Sequence, residues 1–142
     1  MRDQIKLLCT YFCRQNELYA ALAKRQGISY NTLLTLYAID QDQGATQSQL
    51  ANIWLIPKQT LNTVIRSLME KGYVTLKAGQ NQKEKLVYFT QAGQEYASHV
   101  LQDVYRMEDQ AIAQIGTQQF LRMVEITRDF TLAFEQEVNH GQ

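Results

Sequence analysis

The chain has 142 residues, 45% of them apolar and only one a proline, which excludes a disordered segment and makes one mainly helical domain with a real core the default. Fourteen basic residues balance fourteen acidic ones, so the total charge marks neither a nucleic-acid nor a membrane partner. No run reaches the roughly 18 apolar residues of a membrane span, the start "MRDQIKLLCTYF" lacks a signal-peptide pattern, and two cysteines are too few for a disulfide scaffold; a cytoplasmic, reducing compartment is the simplest expectation.

Residues 3–26 read as a helix with Ile5, Leu8, Phe12, Tyr19 and Leu22 on one stripe. Lys24 and Arg25 suit its last turn and Gly27 its end. Ser29 is a candidate N-cap for a second helix, about 30–41, with Leu33, Leu34 and Tyr37 inward. The segment "QDQG" closes it at Gly44. A capping box follows, in which Thr46 accepts from the third helical amide and Gln49 reaches back to the Thr46 amide. It opens a short helix from Gln47 to Trp54. Pro57 forces a turn and suits the first turn of the next helix.

That next helix, 57–71, has Leu61, Val64, Ile65 and Leu68 at i, i+3, i+4 and i+7. Its opposite face carries Lys58, Gln59, Asn62, Thr63 and Arg66, all donors and none acidic. From Tyr73 the period changes to two: Val74, Leu76 and Ala78 alternate with Thr75 and Lys77, and Leu86–Phe89 is rich in strand formers. The two runs predict a hairpin with a polar loop of about six residues. Thr90 caps a long helix, roughly 91–114, with Ala97, Leu101, Val104, Ala111 and Ile115 on a stripe interrupted by Glu108. Gly116 breaks it, and Thr117 is expected to cap a last helix with the stripe Phe120, Val124, Thr127, Thr131, Phe134 and Val138.

The pair 47–54 and 57–71 fits a helix-turn-helix. Leu50, Trp54, Ile56, Leu61 and Val64 fill the inward slots, and Ala51 fills the small-residue slot where the helices nearly touch. The turn slot often held by glycine is Leu55, so a wider turn or a different dihedral is expected there. The charge distribution agrees. Residues 56–90 hold Lys58, Arg66, Lys71, Lys77, Lys83 and Lys85 against Glu70 and Glu84, whereas residues 91–142 hold three basic and eight acidic groups. A local positive patch, not the total, attracts a phosphate backbone.

In such a motif the second helix lies in the major groove with its N-terminal residues at base edges. Gln59 and Asn62 suit adenine, and Arg66 suits guanine or a phosphate. Lys58, Thr60, Thr63 and Ser48 are expected to contact the backbone, which positions without specifying. A merely solvated helix face is the bland alternative; the hairpin and the charge asymmetry weigh against it.

The order helix, helix, helix-turn-helix, hairpin, long helix, long helix resembles the MarR family of bacterial transcriptional regulators. The segments "PKQTLNTVIRSLMEKGYV", "NQKEK" and "FTQAGQEYA" carry the resemblance most specifically. It implies a fold that is mainly α with a small β-hairpin (α+β), a single chain over 1–142. Residues 29–90 would form the winged helix-turn-helix, and 1–28 and 91–142 the dimerisation helices of an obligate homodimer on pseudo-palindromic DNA. Family wing tips usually carry Asp-x-Arg. Asn81, Gln82 and Lys83 stand there in this chain. The wing is therefore expected to lack carboxylate bracing, to be mobile, and to act through phosphates with Lys77 and Lys85 sharing the contact.

The resemblance further implies a repressor released by a small-molecule or redox effector. Phe12, Tyr30 and Tyr37 are the candidates for a pocket taking an aromatic or amphipathic ligand, with core and dimer interface as the bland reading. Cys9 and Cys13 are the redox candidates, since one branch of the family senses peroxides through an N-terminal thiol; two packed, inert cysteines is the simpler reading. No catalytic motif is present, so no enzymatic activity and no cofactor are expected. Cys9, Cys13 and His99 have weak spacing for zinc, and no metal is expected. The alternative from another class is a winged-helix module that binds protein without specific DNA binding.

Overall fold

Local chemistry sets the element boundaries. The structure is a computed structural model and describes residues 1–81 and 83–141. The elements run α1 (Arg2–Arg25), α2 (Tyr30–Gln41), α3 (Gln47–Trp54), α4 (Lys58–Glu70), β1 (Val74–Ala78), β2 (Lys85–Phe89), α5 (Gln91–Ile115) and α6 (Thr117–His140). After α1, Gly27 takes φ 71° and the Ile28 amide donates back to the Ala23 carbonyl, which satisfies the frayed end. The Ser29 hydroxyl accepts from the Thr32 amide at 3.1 Å and opens α2. Both bonds of the capping box form: Thr46 Oγ1 accepts from the Gln49 amide at 3.1 Å, and Gln49 Oε1 accepts from the Thr46 amide at 2.9 Å.

Three sequence expectations change. Leu55 uses neither a wider turn nor a different dihedral; it adopts the left-handed conformation itself, at φ 50° and ψ 42°. Its side chain is 86% exposed, so the turn geometry that joins α3 to α4 is imposed by the helices on either side and not by anything Leu55 packs against. Pro57 is the N-cap of α4 rather than a residue of its first turn. Gly116, at φ 91°, is the N-cap of α6, and Thr117 is already helical. A glycine reverses the chain there without a Cβ penalty, so no hydroxyl cap is required.

The chain divides into two compact units, Met1–Val104 and Tyr105–Gln142. The core lies in the first. Leu33, Leu36 and Ile39 of α2, Leu50 of α3, and Leu61, Ile65 and Leu68 of α4 are buried together with Val74, Val87 and Phe89 of the hairpin. Ala97, Val100, Leu101 and Val104, on the first half of α5, are buried as well. Each such aliphatic side chain contributes about 1.5–3 kcal/mol through removal from water. Thr35, buried among them, satisfies its hydroxyl on the Asn31 carbonyl at 2.7 Å. In the second unit α6 has no buried residue.

The strands pair antiparallel with Val74 opposite Phe89 and Ala78 opposite Lys85. The loop before α3 extends this sheet, a feature the sequence reading lacked. Gly44 donates to the Val87 carbonyl at 2.8 Å, Val87 donates to the Ala45 carbonyl at 2.9 Å, and Thr46 bridges Leu86. The hairpin is thus fixed to the helix-turn-helix through backbone bonds. At its root the Thr90 hydroxyl donates to the Gly72 carbonyl at 2.6 Å and accepts from the Gly93 amide at 3.0 Å. Gly93 abuts the Tyr73 carbonyl so closely that a Cβ there would overlap it.

Candidate nucleic-acid interface

The burial of one face of α4 determines what the other presents. Leu61, Ile65 and Leu68 point into the core, so Lys58, Gln59, Asn62, Thr63 and Arg66 are turned to solvent. Thr60 is half-buried, and Ser48 is exposed on the first turn of α3. Neither α3 nor α4 has an acidic residue in its first turn, and the N-terminus of α4 has no side-chain cap. Its open amides and the positive end of the helix dipole suit an anion.

Two of the outward side chains are tied into a network. Asn62 Nδ2 donates to Gln47 Oε1 at 3.3 Å, and Arg66 Nη2 donates to Asn62 Oδ1 at 3.1 Å. Thr63 returns its hydroxyl to the Gln59 carbonyl at 3.0 Å. Gln47 entered the sequence reading only as the first residue of α3, with no role at the interface. The contact joins residues 15 apart on two helices, and no local periodicity reports such a pair.

On the wing, Lys77, Lys83 and Lys85 are all exposed. Lys77 Nζ lies 4.8 Å above the Tyr88 ring, a cation–π contact that holds it against the strand. The tip has no carboxylate at position 81, and its turn is held by a neutral side chain. Asn81 Oδ1 accepts from the Lys83 amide at 3.3 Å, and the Asn81 carbonyl accepts from the Glu84 amide at 2.9 Å. A neutral acceptor thus ties the turn at the position where Asp is usual in the wing-tip pattern. Gln82, the middle residue of the wing-tip motif, lies outside the described residues.

A cavity of about 200 Å³ opens among α1, α2 and the end of α3, lined by Asn16, Tyr19, Tyr30, Leu33, Leu34, Tyr37 and Trp54. Tyr30 and Tyr37 are therefore in it, and Phe12 is not among its lining. The aromatics pack edge to face, Tyr19 on Tyr37 at 6.4 Å and Tyr37 on Trp54 at 5.4 Å between ring centres. The Trp54 indole donates to Asp42 at 2.8 Å, which locks the last residue of α3 to the end of α2. Trp54 was readable only as an inward slot of the helix-turn-helix, because the cavity is made by three separate segments.

Cys9 and Cys13 are free thiols, and both are exposed on α1 instead of packed within the chain. Among the described residues no cluster of three metal-ligating side chains occurs, and no helix is long and apolar enough to cross a membrane.

A two-stranded wing following a helix-turn-helix, with a polar recognition face beside it, defines the winged-helix class. Residues 26–83 match the MarR family model. Over the chain as a whole the fold is that of a MarR family regulator from Neisseria meningitidis, at 21% identity over 98% of this chain and 99% of that one, with a TM-score of 0.84. It is also that of Staphylococcus aureus MarR in complex with salicylate and kanamycin, at 19% identity, 91% and 88% coverage and a TM-score of 0.70. A Mycobacterium tuberculosis MarR family protein in complex with p-aminosalicylic acid matches at 22% identity, 84% and 94% coverage and a TM-score of 0.65. Comparison with curated protein sequences gives no match. Residues 26–83 thus resemble the MarR family, and the chain has the winged-helix fold of that family's solved regulators.

Proposed function

We propose that the chain is a DNA-binding transcriptional repressor, and not an enzyme, that acts as a homodimer on a pseudo-palindromic operator. The observation that supports this most is the outward face of α4 from Lys58 to Arg66: exposed, donor-bearing and without an acid until Glu70, beside three exposed wing lysines. In this reading α4 enters the major groove. Arg66 pairs with guanine, and Asn62 and Gln59 with adenine. Ser48, Lys58, Thr60 and Thr63 hold phosphates, and Lys77, Lys83 and Lys85 follow the backbone along the minor groove.

Release is assigned to the cavity. Apolar walls with phenolic hydroxyls suit a small aromatic acid or amphipathic effector, and two proteins of the same fold are known with salicylate or p-aminosalicylic acid. Trp54 lines the cavity and ends α3. A ligand against it shifts α3 and moves the two recognition helices away from a separation of one DNA turn, roughly 34 Å. Cys9 and Cys13 offer the route for a redox effector instead.

The test is a gel shift of the full chain on its own upstream DNA against a scrambled duplex, with and without salicylate. Preferential binding that salicylate weakens is expected. Trp54, the one tryptophan of the chain, should be quenched by salicylate over the same concentrations. Equal affinity for both duplexes would transfer the reading to a protein-binding winged-helix module.

A further inference from the structure

We propose that Gln47 sets the sequence preference of the interface by positioning Asn62 and Arg66, which then read DNA as one coupled unit. The inference rests on the DNA-binding reading above. Gln47 is half-buried in the first turn of α3, whereas Asn62 and Arg66 are exposed one turn apart on α4.

The direction of the network follows from donor chemistry. A guanidinium has donors only, so Asn62 must face Arg66 with its oxygen. That turns the Asn62 amide nitrogen toward Gln47, which must answer with its own oxygen. The orientation of the Asn62 amide is thereby fixed from both ends. One N–H and one lone pair of Asn62 remain, in a set order, and they complement the N7 acceptor and N6 donor of adenine. Guanine presents two acceptors at that edge, so its O6 would meet the Asn62 oxygen and be rejected. Arg66 spends one N–H on Asn62 and keeps the others for a paired contact to guanine. A separation of four residues is about 6 Å along the helix, which places the two groups within reach of neighbouring base pairs.

Gln47 thus needs no contact with DNA to affect specificity. It ties α3 to the reading face of α4 and orders two side chains before DNA arrives. Loss of the anchor frees the Asn62 amide to rotate and releases Arg66 with it.

The experiment is a fluorescence-anisotropy titration of the full chain on its upstream DNA, on duplexes with single base-pair substitutions in it, and on a scrambled duplex. The proteins are wild type, Gln47→Met, Asn62→Ala and the double variant. Methionine keeps the length of the side chain and removes its donor and acceptor. Gln47→Met should weaken upstream DNA by about threefold to tenfold, the value of one net hydrogen bond. Scrambled DNA and the salt slope should be unchanged. The loss of discrimination should fall at the same base pairs as for Asn62→Ala, and the double variant should be no weaker than Asn62→Ala alone. Equal loss on both DNAs would make Gln47 a phosphate contact and overturn the proposal. So would additive losses in the double variant, or no loss at all. Gln47→Ala, checked by its melting temperature, repeats the test should the methionine variant fold poorly. A wild type without preference for upstream DNA overturns the DNA-binding reading itself; a preference that Gln47→Met leaves intact overturns this proposal alone.

Discussion

At the scale of single residues, Leu55 and Tyr96 carry the clearest consequences. Leu55 is a non-glycine residue in the left-handed region with its side chain 86% exposed. That conformation costs an L-residue about 1–2 kcal/mol, and Leu55 has little burial to set against it. Leu55→Gly should therefore stabilise the protein by about 1 kcal/mol, read as a higher urea midpoint at unchanged slope. Leu55→Val should lower the midpoint, because a branched Cβ fits that region worst. Tyr96 stacks on Tyr73 with ring centres 4.4 Å apart and planes 9° apart. Burial first, and then the neighbouring Tyr73, raise its pKa above 10.0. A folded pKa above the unfolded one means that the fold favours the neutral phenol. This contribution is complete below pH 10.0 and is lost as pH rises through the folded value. Urea unfolding at alkaline pH should show that loss, and Tyr96→Phe should flatten it.

Among the elements, the wing is where the chain departs most from the Asp-x-Arg pattern of the family it resembles. Asn81 ties the turn as a neutral acceptor, and Lys83 presents an ammonium where a guanidinium is usual. An ammonium is more strongly hydrated and so harder to strip of water in a narrow groove. Lys83→Ala should reduce the slope of log affinity against log salt by about one per wing. Lys83→Arg should tighten binding and sharpen the preference for A·T-rich flanks. Unchanged affinity and slope in Lys83→Ala would remove the wing from the interface. The hairpin itself was legible in the sequence, since alternation and a polar loop specify it locally. Its attachment through residues 44–46 was not, because those bonds join segments about 40 positions apart, across a helix-turn-helix, with no pattern of their own.

For the whole molecule, the unpartnered apolar surface is the decisive feature. In the first unit, Ile5, Leu8 and Phe12 of α1 are 37–44% exposed. In the second, Val124, Phe130, Phe134 and Val138 of α6 are 49–59% exposed, and Phe130 stacks on Phe134 at 6.0 Å. Apolar stripes this long are ordinarily covered by a partner. A second copy is expected to cover them here, and sedimentation at micromolar concentration should give a dimer. Phe130→Glu with Phe134→Glu should give a monomer that retains its helices by circular dichroism, with weaker binding to upstream DNA. A wild-type monomer at micromolar concentration would end the dimer reading.

Local pattern in the sequence specified the helices, the hairpin, the capping box and the inward slots of the helix-turn-helix, of which Leu50, Ala51, Ile56 and Leu61 are buried and Trp54 and Val64 half-buried. Each depends on residues within a turn or two of one another, where periodicity and capping chemistry act directly. It also marked the outward face of α4, since the buried face leaves only one side free. Tertiary structure alone decided that Leu55 takes a glycine's conformation, because the two helices it joins impose the turn. It alone placed Gln47 on Asn62, and brought Trp54 to Tyr30 and Tyr37 around one cavity. Those arrangements depend on how segments distant in the chain pack, and the side chains that meet there carry no sign of one another in the local pattern.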